Sequence, residues 1–159
     1  MNKITIGISE AKFSKNPQDT LVTYALGSCI AVVLYDPKSG VGGMLHYMLP
    51  LSNVSPEKAK ANPYMFGDTG IPQLFQQAYA MGARKENMLV YIAGGARVIE
   101  GEKLMDIGQR NILICRKLFW KNNILIQGEA TGDVKPRTMY LEIATGKCWI
   151  VSKGETHYF

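Results

Sequence analysis

The feature that most constrains this chain is a pair of apolar runs separated by a turn. Leu26-Gly27-Ser28-Cys29-Ile30-Ala31-Val32-Val33-Leu34-Tyr35 comes first, then Asp36-Pro37-Lys38-Ser39, then Gly40-Val41-Gly42-Gly43-Met44-Leu45-His46-Tyr47-Met48-Leu49-Pro50. The first run is rich in β-branched residues, and Asp-Pro-Lys-Ser suits a type I turn with Pro37 at its second position. Two paired antiparallel strands are therefore predicted. If those four residues are the loop, Tyr35 faces Gly40, and counting back along both strands sets Cys29 opposite His46. Directly opposed residues share a face with Cβ atoms roughly 5 Å apart, so a thiol and an imidazole are expected within reach. Nucleophilic cysteine chemistry asks for that neighbourhood, because the thiolate is the reactive species and an adjacent imidazole activates it. A one-residue bulge would break the alignment.

The remaining chain reads as one α+β domain spanning residues 1–159, with mainly antiparallel strands and two principal helices. Ile4, Ile6 and Ile8 alternate on one face of a strand, polar residues from Ser9 to Asp19 form a loop, and Thr20 to Leu26 forms a second strand. Leu51 to Pro63 has little periodicity. A helix capped at Asp68 or Thr69 carries Ile71, Leu74, Phe75, Ala78 and Tyr79 on one stripe, tolerates Pro72 in its first turn and ends at Gly82. Met88 to Ala93 reads as a strand buried on both faces. A second helix starts near Asp106, runs through Gln109, Ile112, Cys115, Leu118 and Phe119, and ends at Asn122-Asn123. Ile124 to Ile126 opens another strand before a loop from Gly128 to Arg137. Two alternating strands, Thr138 to Ile143 and Lys147 to Ser152, flank Ala144-Thr145-Gly146 as a hairpin.

Composition narrows the function class. The longest apolar run is about seven residues, against roughly 20 for a membrane span, and Met1-Asn2-Lys3-Ile4-Thr5 lacks a leader's apolar core. No membrane insertion and a cytoplasmic location are expected. Three cysteines without a CxxC pair and two histidines fit neither a disulfide framework nor a metal module, so no cofactor is expected. The net charge of +5 is scattered over the chain, which suits mild attraction to acidic partners rather than nucleic acid. Gly42-Gly43 and Gly94-Gly95 lack the Lys-Ser/Thr of a nucleotide loop, and tight turns or close packing account for them.

Taken alone, Cys29 has an ordinary reading as a buried structural thiol, and His46 one as a satisfied interior histidine. Gly27-Ser28 before the cysteine and the expected pairing with His46 favour catalysis. Cys115 fits a helix's core stripe and Cys148 a strand beside Trp149, so both read as structural. The alternatives to a nucleophilic cysteine enzyme are a non-catalytic binding module and a thiol-redox protein using Cys29, the latter without a resolving cysteine nearby.

These residues resemble a known family. Leu26 to Val32, Tyr35-Asp36-Pro37, Gly42 to Pro50, Gly94-Gly95-Ala96, Ile107-Gly108-Gln109-Arg110-Asn111 and Arg137-Thr138 resemble, in order, the CheD chemoreceptor glutamine deamidases. The resemblance implies a layered α/β/β fold and a Cys-His-Thr hydrolase, with Cys29 as nucleophile, His46 as base and acid, and Thr23 orienting the imidazole. Backbone N–H groups near Ser28 and Cys29 are the expected oxyanion donors. It further implies deamidation of glutamine on the cytoplasmic helices of methyl-accepting chemoreceptors, a side activity on glutamyl methyl esters, and a CheC-type phosphatase as a competing partner. The binding-module alternative would dock on the same two partners without catalysis. One departure is the segment Gly128 to Pro136, which is poorer in glycine than the family pattern leads one to expect.

Overall fold

A computed structural model describes residues 2–97 and 106–159. In chain order the described strands are β1 (Asn2–Thr5), β2 (Glu10–Ser14), β3 (Asp19–Leu26), β4 (Ile30–Asp36), β5 (Val41–Tyr47), β6 (Leu89–Gly94), β7 (Gly128–Thr131), β8 (Arg137–Glu142), β9 (Cys148–Ser152) and β10 (Glu155–Tyr158). The helices are α1 (Pro56–Ala61), α2 (Gly67–Ala80) and α3 (Ile107–Lys121). One sheet has the order β1-β3-β8-β9-β10, the other β2-β5-β4-β6-β7. Among the described strands only β1/β3 and β6/β7 pair in parallel, and an isolated parallel bridge joins Leu49 to Phe66. The fold is α+β in three layers.

β4 shows why the layers stack. All seven of its residues are buried. Ile30, Val32 and Leu34 pack with Leu74 and Phe75 of α2 and with Ile112, Cys115 and Phe119 of α3. Ala31, Val33 and Tyr35 pack on the opposite face with Leu21, Met139 and Leu141 of the other sheet. A strand apolar at its first six positions requires cover on both sides, and each large aliphatic side chain so buried contributes about 1.5–3 kcal/mol. Tyr35 joins the sheets by donating its hydroxyl to the Ile143 carbonyl at 2.9 Å.

The hairpin forms, but its register differs from the sequence expectation. Asp36 is itself paired with Val41, so the loop is Pro37 to Gly40 and His46 lies opposite Ala31 rather than Cys29. The Asp36 carboxylate accepts the N–H groups of Lys38 at 2.8 Å and Ser39 at 3.2 Å, while the Gly40 N–H reaches the Asp36 carbonyl at 2.8 Å. Closing that turn puts Gly40 at φ +77°, a conformation glycine supplies without steric cost. The displacement is two positions, which keeps the alternation of faces along β5; Cys29 itself sits one residue before β4, packed against the same inter-sheet cluster as Ala31, the partner of His46.

Other expectations hold or shift for local reasons. α3 is capped as predicted, the Asp106 carboxylate accepting the Gln109 N–H at 2.8 Å and Asn123 turning left-handed at φ 55°. Cys115 and Cys148 are buried. Gly42 and Gly43 are close-packing positions against Ile143 and Phe13. The polar stretch after Ser9 is not simply a loop: Ser9 reverses direction at φ 62°, and Glu10–Ser14 adds an edge strand to β5. Residues 51–63 hold α1 and a 3-10 turn at Ser52–Val54. α2 begins at Gly67, so Pro72 sits inside it rather than in its first turn. Ile124 to Ile126 is not a strand. Its apolar character serves the helical layer, where Ile124 and Ile126 pack against the core, and pairing with β6 starts only at Gly128.

Candidate active site

β3, in one sheet, delivers Thr23 to the inter-sheet layer; β5, in the other, delivers His46. Both are buried, and Thr23 Oγ1 lies 2.7 Å from His46 Nδ1. The same hydroxyl donates to the Ile6 carbonyl at 2.7 Å. A hydroxyl has one proton, and a carbonyl oxygen only accepts. Thr23 therefore accepts from Nδ1–H, and His46 carries its proton on Nδ1. The imidazole Nε2 is left with a lone pair, buried and without a hydrogen-bond partner among the described residues. Desolvation pushes the imidazole down to about 4, so the ring is neutral at pH 7. Immediately after Thr23, a bulge at Tyr24–Ala25 interrupts the β3/β8 register, with Ala25 at φ 55°.

Cys29 belongs to the bend Gly27-Ser28-Cys29 that joins β3 to β4, half-buried against the inter-sheet cluster that also holds Ala31 and Met44. Each carbonyl of the bend has a donor. Gly27 O accepts the Ala96 N–H at 2.9 Å, Ser28 O accepts Asn111 Nδ2 at 2.9 Å, and Cys29 O accepts the Gly95 N–H at 2.9 Å. Burial raises the Cys29 thiol, and the residue's own N–H, which favours a thiolate, opposes that rise. Gly94 permits the close approach: a Cβ there would overlap the Cys29 carbonyl oxygen, and its φ is +109°. The Gly94-Gly95 pair thus shapes the back of the cysteine bend.

The segment poorer in glycine than expected keeps its turn by another route. Gly132 at φ 79° is followed by Asp133 at φ 60°, whose carboxylate accepts the Val134 N–H at 2.7 Å. Asp tolerates this left-handed conformation better than most residues because its short side chain bonds locally. Asp133 O accepts the Arg97 N–H at 2.8 Å, and the buried Arg137 guanidinium donates to Gly132 O at 2.9 Å.

Of the residues predicted for the site, Thr23 and His46 are in hydrogen-bond contact, Cys29 shares their layer, and Ser28 adjoins it in the bend. The sequence reading did not single out Asn111. A polar residue at the i, i+4, i+8 spacing of Asn111, Cys115 and Phe119, all on the buried stripe of α3, was the available signal.

A family model described as CheD chemotactic sensory transduction matches residues 48–152. A Syntrophus aciditrophicus (strain SB) protein named probable chemoreceptor glutamine deamidase CheD 1 is 54% identical, the alignment covering 97% of this chain and 96% of the relative. A Solibacter usitatus (strain Ellin6076) protein named probable chemoreceptor glutamine deamidase CheD is 45% identical over 98% of this chain and 92% of its own. The crystal structure of Neisseria meningitidis protein NMB0706, family-model DUF152, is similar with a TM-score of 0.44 at 9% identity, over 83% of this chain and 62% of that one. With identity at this level along nearly its whole length, the chain belongs to the CheD family.

Proposed function

We propose that residues 1–159 form one catalytic unit that hydrolyses glutamine side chains of bacterial chemoreceptors to glutamate. The observation that carries this reading is the Thr23-oriented His46, its free Nε2 buried in the layer that Cys29 enters. The relatives' names supply the substrate class.

Cys29 Sγ attacks the carboxamide carbon while its proton passes to His46 Nε2, the only ring nitrogen with a lone pair. A preformed thiolate is not required, since burial holds both groups neutral at rest. The carbonyl oxygen becomes an oxyanion facing the N–H groups of Ser28 and Cys29. As the tetrahedral adduct collapses, the C–N bond breaks and His46 returns the proton to the departing nitrogen, releasing ammonia. A thioester remains. Water, deprotonated by the same Nε2, adds to the thioester carbon; the C–S bond breaks, Cys29 regains its proton, and the side chain leaves as glutamate. A glutamyl methyl ester presents the same carbonyl with methanol as leaving group. The setting is the cytoplasm, and a CheC-type phosphatase is a second partner by family resemblance.

Ammonia release from a purified chemoreceptor cytoplasmic fragment tests the proposal. Release with the wild-type protein and none with Cys29→Ala supports it; equal release by both overturns it in favour of contaminating activity, and release by neither favours the binding-module reading.

A further inference from the structure

Between the cysteine bend and the helical layer sits a buried carboxamide that the mechanism above does not use. Asn111 is fully buried in α3, and its Nδ2 donates to two carbonyls, Ser28 O at 2.9 Å and Met48 O at 3.0 Å. These lie on the two arms of the central hairpin, just past its last pair, Ile30 with Tyr47. There the arms separate: the Met48 N–H pairs with Met65 O at 2.9 Å and the Cys29 carbonyl with Gly95. Asn111 spans the opening where the ladder stops. Its own backbone carbonyl accepts the Tyr47 hydroxyl at 2.6 Å, which fixes the height of α3 over β5.

We infer that Asn111 is the positioning residue for the oxyanion donor at Cys29, an inference resting on the proposed thioester chemistry. One peptide plane links Asn111 to the donor. Ser28 C=O and Cys29 N–H belong to the same planar trans unit, in which the two point in opposite directions. Holding the Ser28 carbonyl toward α3 turns the Cys29 N–H away from α3, toward the side on which a substrate carbonyl oxygen must sit. The neighbouring unit is constrained the same way: the Ala96 N–H holds Gly27 C=O, which turns the Ser28 N–H away from Ala96. Of the carbonyl partners behind the bend among the described residues, only Asn111 is a side chain, so a substitution can remove it without altering the backbone. Its Oδ1 is buried without a partner among the described residues. The amide is thus held for its two donors, at the expense of an unsatisfied acceptor.

Two reactions of Cys29 separate positioning from general damage. Alkylation by iodoacetamide at alkaline pH develops no oxyanion on a carbonyl and reports only that the thiol is present, folded in and accessible. Deamidation requires the donor. The test compares wild type, Asn111→Asp, which replaces the NH₂ with an oxygen, Asn111→Ser, which keeps one hydroxyl donor, and Cys29→Ala. For Asn111→Asp we expect kcat for ammonia release to fall about 100-fold or more, as when an oxyanion donor is lost, with KM and the Cys29 alkylation rate within about threefold of wild type. Asn111→Ser should recover part of kcat. The assignment is overturned if Asn111→Asp keeps wild-type kcat, or if alkylation falls by the same factor as kcat, which marks a collapsed bend. Ammonia release by Cys29→Ala would instead remove the underlying thioester reading.

Discussion

Thr23 and His46 come from different sheets, and the 2.7 Å contact between Thr23 Oγ1 and His46 Nδ1 is a polar link inside an apolar inter-sheet layer. Because Thr23 also donates to Ile6 O, the contact has a direction: the imidazole gives, the hydroxyl receives. A threonine that looks like an ordinary strand residue selects the tautomer of His46.

Replacing Thr23 by Val keeps the shape and removes that selection. It leaves Nδ1–H and Ile6 O buried without partners, each costing about 1–3 kcal/mol. Initial rates of ammonia release should drop about 100-fold, in the range of a lost general base, while Thr23→Ser should retain most activity. Thermal unfolding of both variants separates the catalytic loss from the stability loss.

His46 also makes stability depend on pH. Its imidazole titrates at the usual value near 6.5 when unfolded and at about 4 when folded, so the unfolded chain binds the extra proton between those values. The contribution is intact above pH 6.5, declines as pH falls toward 4, and is constant below. The full change is about 3 kcal/mol. Urea unfolding of wild type and His46→Gln across this window should show a steeper decline for wild type.

The thiols should divide in reactivity. Cys115 and Cys148 are buried and raised well beyond the ordinary thiol range by desolvation, whereas Cys29 is only half-buried. Thiol titration of the native protein should therefore count one reactive group, and in denaturant all three. With the Cys29 thiol raised by burial, its alkylation rate should still be climbing at pH values where an ordinary cysteine has levelled.

Gly94→Ala should disable the cysteine bend. The added methyl overlaps the Cys29 carbonyl oxygen, on a backbone at φ +109° that alanine rarely adopts. A loss of about 3 kcal/mol or more in unfolding free energy is expected, together with loss of ammonia release in whatever fraction remains folded.

Much of the site was legible because it is built on strand alternation. The hairpin's apolar pattern located β4 and β5 and the expected approach of Cys29 to His46, but the ladder pairs His46 with Ala31 and leaves Cys29 in the bend before β4, packed against the same inter-sheet cluster. The register itself was not legible: whether Asp36 ends the strand or begins the loop depends on which backbone N–H groups its carboxylate finds, and Lys38, Ser39 and the distant Arg84 N–H supply them. Glu10–Ser14 escaped notice because it is only five residues long and offers two apolar positions, Ala11 and Phe13, between polar neighbours. Ile124 to Ile126 misled for the opposite reason, being apolar for the helices' sake. Asn111 was hidden by its helix: a single polar residue in a core stripe acquires meaning only when the carbonyls it meets are known.

Mass spectrometric mapping of a chemoreceptor cytoplasmic fragment after incubation tests the central claim most directly. The expected result is a gain of one dalton at particular glutamines with the wild-type protein, a greatly slowed gain with Thr23→Val, and none with Cys29→Ala or His46→Gln. Unchanged glutamine masses with the wild type, or the same gains with Cys29→Ala, would contradict it.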